Sequence, residues 1–426
     1  MTTALVISRT FPVHDRIMWG TVLRLETQLE ALARVVDRIE CLILIPEELQ
    51  FSPQEVRAHE ERLRRRWSAK LSVQLAPVLR WAPAATRWQR YGPGMFDFHA
   101  QQAAGGVGHE AAVRAVRTAV RAAPDLILAH RLPAMSLLLK LSRVIGRAPL
   151  FFDLDDVEHI TFARRVLHYP RWPLERLLLL QMPRLLLTEL LAVRRARLTF
   201  VCSEHDRRHL VRLSGSRRIE VVANGIRIPA GVRAGAPEPV VLFVGVMNYP
   251  PNAQAADTLV RDIWPTVQAR VPHARLIIAG GSPELLRSYR AADASVTFTG
   301  FVDDLAALYA QARVVCCPIF YGSGTRIKII EAAAYARAIV STTLGAEGLV
   351  FENGTELVLR DSLAQLAEEC VRLLQDPAAA ERLGTAARER ARATYERSAV
   401  VAQLERLFDA GLRAADHSSS ARQSAS

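Results

Sequence analysis

Residues 314–336 read Val-Val-Cys-Cys-Pro-Ile-Phe-Tyr-Gly-Ser-Gly-Thr-Arg-Ile-Lys-Ile-Ile-Glu-Ala-Ala-Ala-Tyr-Ala. The apolar run Val314 to Cys317 has the length of a buried strand, a Pro and Gly loop follows, and Arg326 to Ala336 has helical character. Strand, glycine loop and helix in that order form one unit of a parallel sheet covered by helices, whose ligands bind at the carboxyl ends of the strands. Gly322 and Gly324 let the backbone approach an anion, and the first amides of the helix point at it, so the loop suits a phosphate. On the helix Ile327, Ile330 and Ala334 share the core face, and Lys328, Glu331 and Tyr335 share a face opening toward the loop. Arg326 and Lys328 can neutralise a diphosphate, and Glu331 can accept hydrogen bonds from two ribose hydroxyls. Taken alone, Lys328 and Glu331 also read as a solvated i, i+3 pair. The dinucleotide fingerprint is missing, because Ile327 stands where its third glycine would be.

Outward from this stretch the same alternation recurs. Candidate strands in the first half are Ala4 to Ser8, Ile39 to Ile45, Leu71 to Pro77, Leu126 to Ala129, Leu150 to Leu154, Leu198 to Cys202 and Ile219 to Val222. In the second half they are Val240 to Val244, Leu276 to Ala279, Val296 to Thr299, Val314 to Cys317 and Ala338 to Ser341. Short apolar runs separated by helical stretches predict an α/β chain of two doubly wound, Rossmann-like domains. The chain has 426 residues, more than one core usually supports. The Pro, Gly and Ala-rich stretch Arg227 to Pro239 reads as the linker. The expected organisation is a first domain over 1–230, a second over 238–395, a helix over 396–415 packing back toward the first, and a Ser-rich disordered tail over 416–426.

The composition is that of a globular protein, 50% apolar and 23% charged. Five cysteines, at 41, 202, 316, 317 and 370, form no CxxC pair, which suits a reduced, cytoplasmic protein without a zinc site. No signal peptide pattern precedes the first strand. The most apolar segment, Pro173 to Val193, is interrupted by Glu175, Arg176, Pro183, Arg184 and Glu189 and is too broken to span a membrane. The formal charge of +12 comes from arginine, since lysine occurs only at 70, 140 and 328. This charge suits anionic partners, and arginines 62, 64, 65 and 66 beside Trp67, with Arg194, Arg195 and Arg197, are candidates for a membrane-facing patch; an arginine-rich coding bias explains the charge equally well. No nucleic-acid-binding motif accompanies it.

Three further stretches carry chemistry. His130 ends the strand 126–129, where a histidine is commonly structural. Phe152 to His159 is an acidic cluster at a strand end in which Asp155 or Asp156 could cap the next helix or, with Asp153, hold a hard cation. After the first strand, His14, Asp15 and Arg16 lead into a helix that Asp15 could cap.

The second half resembles the large retaining glycosyltransferases of the GT-B fold, and within them glycosyltransferase family 4. The segments are Phe243 to Met247 with Pro251-Asn252, Ile278 to Gly281, Phe298 to Val302, Gly322 through Ala333, and Gly345 to Leu349. The resemblance is strong from Val240 to Leu349 and weak in the first domain. It implies two Rossmann-like domains facing each other across a cleft, with the nucleotide sugar held by Gly245, Phe301, Val302, Gly322, Ser323, Gly324, Thr325 and Glu331. It places Arg326 and Lys328 at the diphosphate and His130 at the sugar. His14, Asp15, Arg16, Asp155 and Asp156 become acceptor-side candidates. Ser323 departs from the family pattern, which has a glutamate there, and belongs to a Gly-Ser-Gly-Thr-Arg variant of the loop. Met247 and Asn248 stand where many members have Arg and Lys. The implied reaction is glycosyl transfer with retention to a glycan or polyprenyl-linked acceptor of cell-surface polysaccharide or glycoconjugate synthesis, with no cofactor and no metal. The protein would be cytoplasmic and peripheral on the inner face of the membrane. A non-catalytic sugar-nucleotide-binding partner, a nucleotide-sugar epimerase and a phosphorylase are the competing classes, the last requiring Lys328 as a Schiff-base lysine.

Overall fold

The computed structural model describes residues 1–10, 20–49, 51–79, 92–107, 110–146, 148–168, 170, 173–232, 236, 238–290 and 292–423. His14, Asp15 and Arg16 lie outside them. The chain divides into two compact units, Met1–Gly225 with Ser398–Ser426, and Ile226–Arg397. The division falls after Gly225, upstream of the linker expected at 227–239 and of the boundary expected at 230. Ile226 is already buried, and its amide donates to the Tyr395 carbonyl at 2.8 Å, which commits it to the second unit.

Unit 1 is built on β1 (Thr3–Ser8), α1 (Gly20–Val35), β2 (Arg38–Pro46), α2 (Pro53–Arg66), β3 (Leu71–Leu79), α3 (Glu110–Arg121), β4 (Leu126–His130), α4 (Arg131–Lys140), β5 (Leu150–Asp153), α5 (Glu158–His168), α6 (Met182–Arg195), β6 (Leu198–Val201), α7 (Glu204–Ser214) and β7 (Ile219–Val221). The seven strands are parallel in the order β3-β2-β1-β4-β5-β6-β7. Both faces are buried. Leu5, Ile7, Leu42, Ile127, Ala129 and Phe152 face one core, and the alternate residues Ala4, Val6, Cys41, Leu126, Leu128 and Phe151 face the other. This double burial is why the strands read as unbroken apolar runs.

Unit 2 contains β8 (Val240–Val244), α8 (Pro250–Thr258), α9 (Trp264–Arg270), β9 (Arg275–Ala279), β10 (Val296–Gly300), α10 (Leu305–Gln311), β11 (Val314–Cys317), α11 (Ile327–Ala334), β12 (Ala338–Ser341), β13 (Val358–Leu359), α12 (Leu363–Gln375) and α13 (Pro377–Tyr395). Its six strands run in the order β10-β9-β8-β11-β12-β13. In both sheets the order reverses beside the first strand, between β1 and β4 and between β8 and β11, and these switch points are where such sheets take ligands.

The last helix, α14 (Arg397–Gln423), belongs to unit 1. Val400, Val401, Leu404 and Phe408 join the core beneath the sheet, and the Phe408 ring meets Phe151 edge-on at 5.1 Å. The helix continues to Gln423, past Asp416, where a disordered tail is expected. No Gly or Pro interrupts 412–423, and a helix already nucleated propagates at little cost.

At the unit 2 switch point Gly280 has φ 139°, and a Cβ there would lie 1.8 Å from the Gly245 carbonyl oxygen. Gly280→Ala is expected to destabilise unit 2 by roughly 3–5 kcal/mol and lower its melting midpoint by on the order of 10 °C. Gly354→Ala, at φ 90° with open space around it, is expected to cost only about 1 kcal/mol. Calorimetric melting of both variants checks the pair, and equal losses would refute the close-approach argument.

Candidate functional site

The unit 2 site is assembled where β8 and β11 diverge. Arg326 is the residue capping the start of α11, and its Nη1 donates to the Gly324 carbonyl, folding the side chain back over the loop. Its Nη2 is buried with no hydrogen-bond partner. Gly322 and Gly324 both have positive φ, 111° and 77°, so the loop needs glycine at these two positions. Lys328, the second residue of α11, passes its Nζ over the Phe243 ring at 4.3 Å and donates to Asn252 Oδ1 at 2.6 Å. Gly245 makes room for this, since a Cβ there would stand 2.9 Å from Lys328 Nζ. Burial is the main reason the Lys328 ammonium drops to about 8. Neither Arg326 nor Lys328 forms an ion pair among the described residues. Two shielded cations without an ion pair, beside a glycine loop and a helix start, make a receptor for an anion.

Glu331 lies one turn beyond Lys328, half-buried, and accepts a hydrogen bond from the Tyr309 hydroxyl at 3.2 Å. Tyr309 stacks on Tyr335 with ring centroids 4.7 Å apart. Burial pushes the Glu331 carboxyl up to about 7. Ser323 and Thr325 lie half-buried on the same loop. Phe301, 44% exposed, and Val302 follow β10 at the sheet edge, three strands from β11. Ile329 and Ile330 fill the core side of α11, whereas Ile327, expected on that side, is half-exposed.

The unit 1 switch point holds His130, fully buried at the end of β4. The Thr10 amide donates to Ser8 Oγ at 2.9 Å, and Ser8 Oγ lies 2.9 Å from His130 Nδ1. Asp153 Oδ2 lies 3.7 Å from Nε2, which favours the tautomer with Nδ1 accepting from Ser8 and the proton on Nε2. That Nε2 has no hydrogen-bond partner. Burial holds the imidazole down at about 4, so it is neutral at pH 7.

Around it the acidic cluster is neutralised by arginines the sequence reading did not single out. Arg24 donates from Nε to both Asp153 oxygens, at 2.9 and 3.0 Å, and from Nη2 at 2.6 Å; its Nη1 reaches the Val222 carbonyl at 2.8 Å and Asn224 Oδ1 at 3.1 Å. Asp155 lies 3.8 Å from Arg24, and Asp156 3.5 Å from Arg131. Neither aspartate caps α5, because the Glu158 amide donates to Glu189 Oε1 at 2.8 Å instead. Arg131 bonds Glu158 at 3.0 Å and has φ 69°, a strained backbone of the kind found at functional sites. Arg9, just past β1, is held down at about 10 by burial and by Arg131. Its buried Nε has no partner. Among the described residues no group of three or more His, Cys, Asp or Glu side chains is arranged to hold a metal.

Residues 238–376 match the family model described as Glycosyl transferases group 1. A phosphatidyl-myo-inositol mannosyltransferase of Mycobacterium leprae is 31% identical over 219 residues, which are 49% of this chain and 57% of that one. The chain thus spans little more than half the length of the curated relatives it matches. Among solved structures, sucrose-phosphate synthase from Thermosynechococcus elongatus superposes with a TM-score of 0.69 at 19% identity, covering 97% of this chain and all of that one. Anabaena Alr3699/HepE in complex with UDP and glucose superposes at 0.63 with 15% identity, over 96% of this chain and all of that one. The fold is therefore GT-B, as the sequence resemblance implied.

The Glu331 carboxyl tests the electrostatics of the site. Its folded value lies near 7 against an ordinary 4.5, so its stabilising contribution is present at low pH and is lost as pH rises through 7. Glu331→Gln is expected to match the wild type near pH 4.5 and to melt a few degrees above it at pH 8 without ligand, a gain of about 1 kcal/mol after solvent screening. Melting curves across that range check the sign, and a glutamine variant less stable at pH 8 would overturn it.

Proposed function

Because residues 238–376 belong to the glycosyl transferases group 1 family, we propose that the chain transfers a sugar from a nucleoside diphosphate sugar to a glycan or lipid-linked glycan acceptor in cell-surface polysaccharide or glycoconjugate synthesis. The observation that carries this reading is the unpaired couple Arg326 and Lys328 at the Gly322–Thr325 loop, with Glu331 one turn further along the same helix. The diphosphate neutralises the two cations and meets the first amides of α11, and Glu331 accepts from the ribose. Gly245 gives the diphosphate close backbone approach, and Phe301 and Val302 border the base. Ser323 and Thr325 offer hydroxyls on the same loop.

In the proposed reaction configuration at the anomeric carbon is retained. The departing diphosphate stays on the face that the acceptor hydroxyl enters and takes its proton, so no protein nucleophile is needed. Catalysis comes from positioning and from stabilising the leaving group with Arg326, Lys328 and the helix amides, without metal or cofactor. Neutral His130 donates from Nε2 to a sugar hydroxyl. His14, Asp15, Arg16, Asp155 and Asp156 are assigned to the acceptor side. The M. leprae relative's name supports a lipid acceptor, and an excess of cations, +12 in formal charge, supports peripheral contact with an anionic membrane on the cytoplasmic side. No described helix is long and apolar enough to cross one. The departure at Ser323 favours one competing reading, a sugar-nucleotide-binding partner without turnover.

Thermal stabilisation by a panel of nucleoside diphosphates and their sugars tests the donor site. One sugar nucleotide at a hundredfold excess over its Kd is expected to add about 2.7 kcal/mol. Glu331→Ala is expected to weaken that ligand about tenfold or more. No shift with any nucleotide would refute the donor site, and binding without release of nucleoside diphosphate would establish the partner reading. With turnover in hand, His130→Ala is expected to lower kcat about a hundredfold while His130→Gln retains part of it. Because His130 titrates near 4, the rate is expected to show no histidine step between pH 5.5 and 8; such a step, lost in the glutamine variant, would contradict a neutral imidazole.

A further inference from the structure

From Leu167 to Arg197 the only acids are Glu175 and Glu189. Both are buried and paired inward, Glu175 with Arg165 at 2.6 Å and Glu189 with His159. The outer side of the same segment carries six leucines, Leu167, Leu174, Leu177, Leu180, Leu187 and Leu191, between 41% and 52% exposed. Their spacing makes them stripes. Residues Pro173–Gln181 form a 3-10 helix, and with three residues per turn Leu174, Leu177 and Leu180 stand in one line. In α6, Pro183, Leu187 and Leu191 follow at four-residue steps, and the exposed Arg194 and Arg195 continue that face. The inner sides of α5, the 3-10 helix and α6, represented by Phe162, Val166, Leu178, Leu185 and Ala192, all enter one core. The leucines therefore lie on the opposite, outer side of that layer. The exposed apolar area is roughly 500 Å², in the range of patches that mark a partner surface. Every exposed charged side chain in the described part of the segment other than His168 is an arginine, at 176, 194, 195 and 197.

We propose that this leucine and arginine face is a docking surface for an anionic lipid bilayer. Leucine side chains enter the acyl boundary while the flanking guanidinium groups stay with the phosphates. A second copy of the chain is disfavoured, because two such faces would bring arginines against arginines with no exposed acid to answer them. The surface is also placed to serve an acceptor. Glu158, at the start of α5, bonds Arg131 beside His130, and the 11 residues of the helix extend about 16 Å to the leucine face. A glycan on an embedded lipid thus lies within reach of the unit 1 switch point. The docking surface deepens the peripheral membrane contact proposed above, and this last step rests on the lipid-linked acceptor proposed with it.

The experiment is flotation of the full chain with vesicles of phosphatidylcholine alone or mixed with phosphatidylglycerol. Wild-type protein is expected to float with the mixed vesicles, and raised salt is expected to weaken but not abolish this. Leu177→Glu with Leu187→Glu, and separately Arg176→Glu with Arg195→Glu, are expected to reduce partitioning at least about tenfold. Leu363→Glu, an exposed leucine of unit 2, is expected to leave it unchanged. The variants are expected to melt with the wild type and to keep the nucleotide-dependent thermal shift, which separates failure of docking from failure of the donor site. Equal flotation of wild type and variants, no flotation at all, or a dimer in sedimentation that the leucine substitutions abolish would each overturn the proposal.

Discussion

The Arg24 guanidinium is enclosed in unit 1, and distant parts of the chain meet on it: Asp153 at the end of β5, the carbonyl of Val222 beyond β7, and Asn224 just before the chain passes into unit 2. A buried charge is tolerable only when paired and fully hydrogen-bonded, and losing one partner commonly costs about 3–5 kcal/mol. Here the pair does more than hold α1 to the sheet. Fixed by Arg24, the Asp153 carboxylate is held 3.7 Å from His130 Nε2, and Ser8 occupies the other ring nitrogen. The imidazole is thereby oriented by its surroundings and kept neutral by burial, with one N–H left over.

Unit 2 shows the opposite treatment of charge. Its lysine and glutamate are drawn toward neutrality by burial, and the cations at the glycine loop form no ion pair among the described residues. A structure selected for stability alone would pair them or replace them. An anionic ligand with hydroxyls to donate answers both groups together.

The fold was legible because parallel strands buried on both faces leave continuous apolar runs, and Val240 to Val244, Val314 to Cys317 and Ala338 to Ser341 have the same limits in sequence and structure. β13 was not, since two residues carry no period. At the glycine loop the chemistry is local: glycines, cations and Glu331 sit within ten residues, so spacing alone exposes the arrangement. The unit 1 site is assembled across the sheet, and there the sequence gives little. Arg24 lies next to the apolar stripe Val22, Leu25, Leu29 and Leu32 of α1, a small anomaly, and its partner is 129 residues away. Arg9 and Arg131 gain significance only from burial and backbone strain, neither of which has a sequence pattern.

Unit 2 begins and ends at the same place. Ile226 bridges to Glu396, and the Arg397 amide returns to the Ile226 carbonyl at 2.8 Å, so the ends of the unit are tied together and it is one continuous stretch of chain, Ile226–Arg397. Unit 1 is interrupted by it and is completed only by α14, whose Phe408 closes the core against Phe151 and Phe200. During synthesis unit 1 therefore keeps an open hydrophobic face until α14, which follows unit 2 in the chain, has been made.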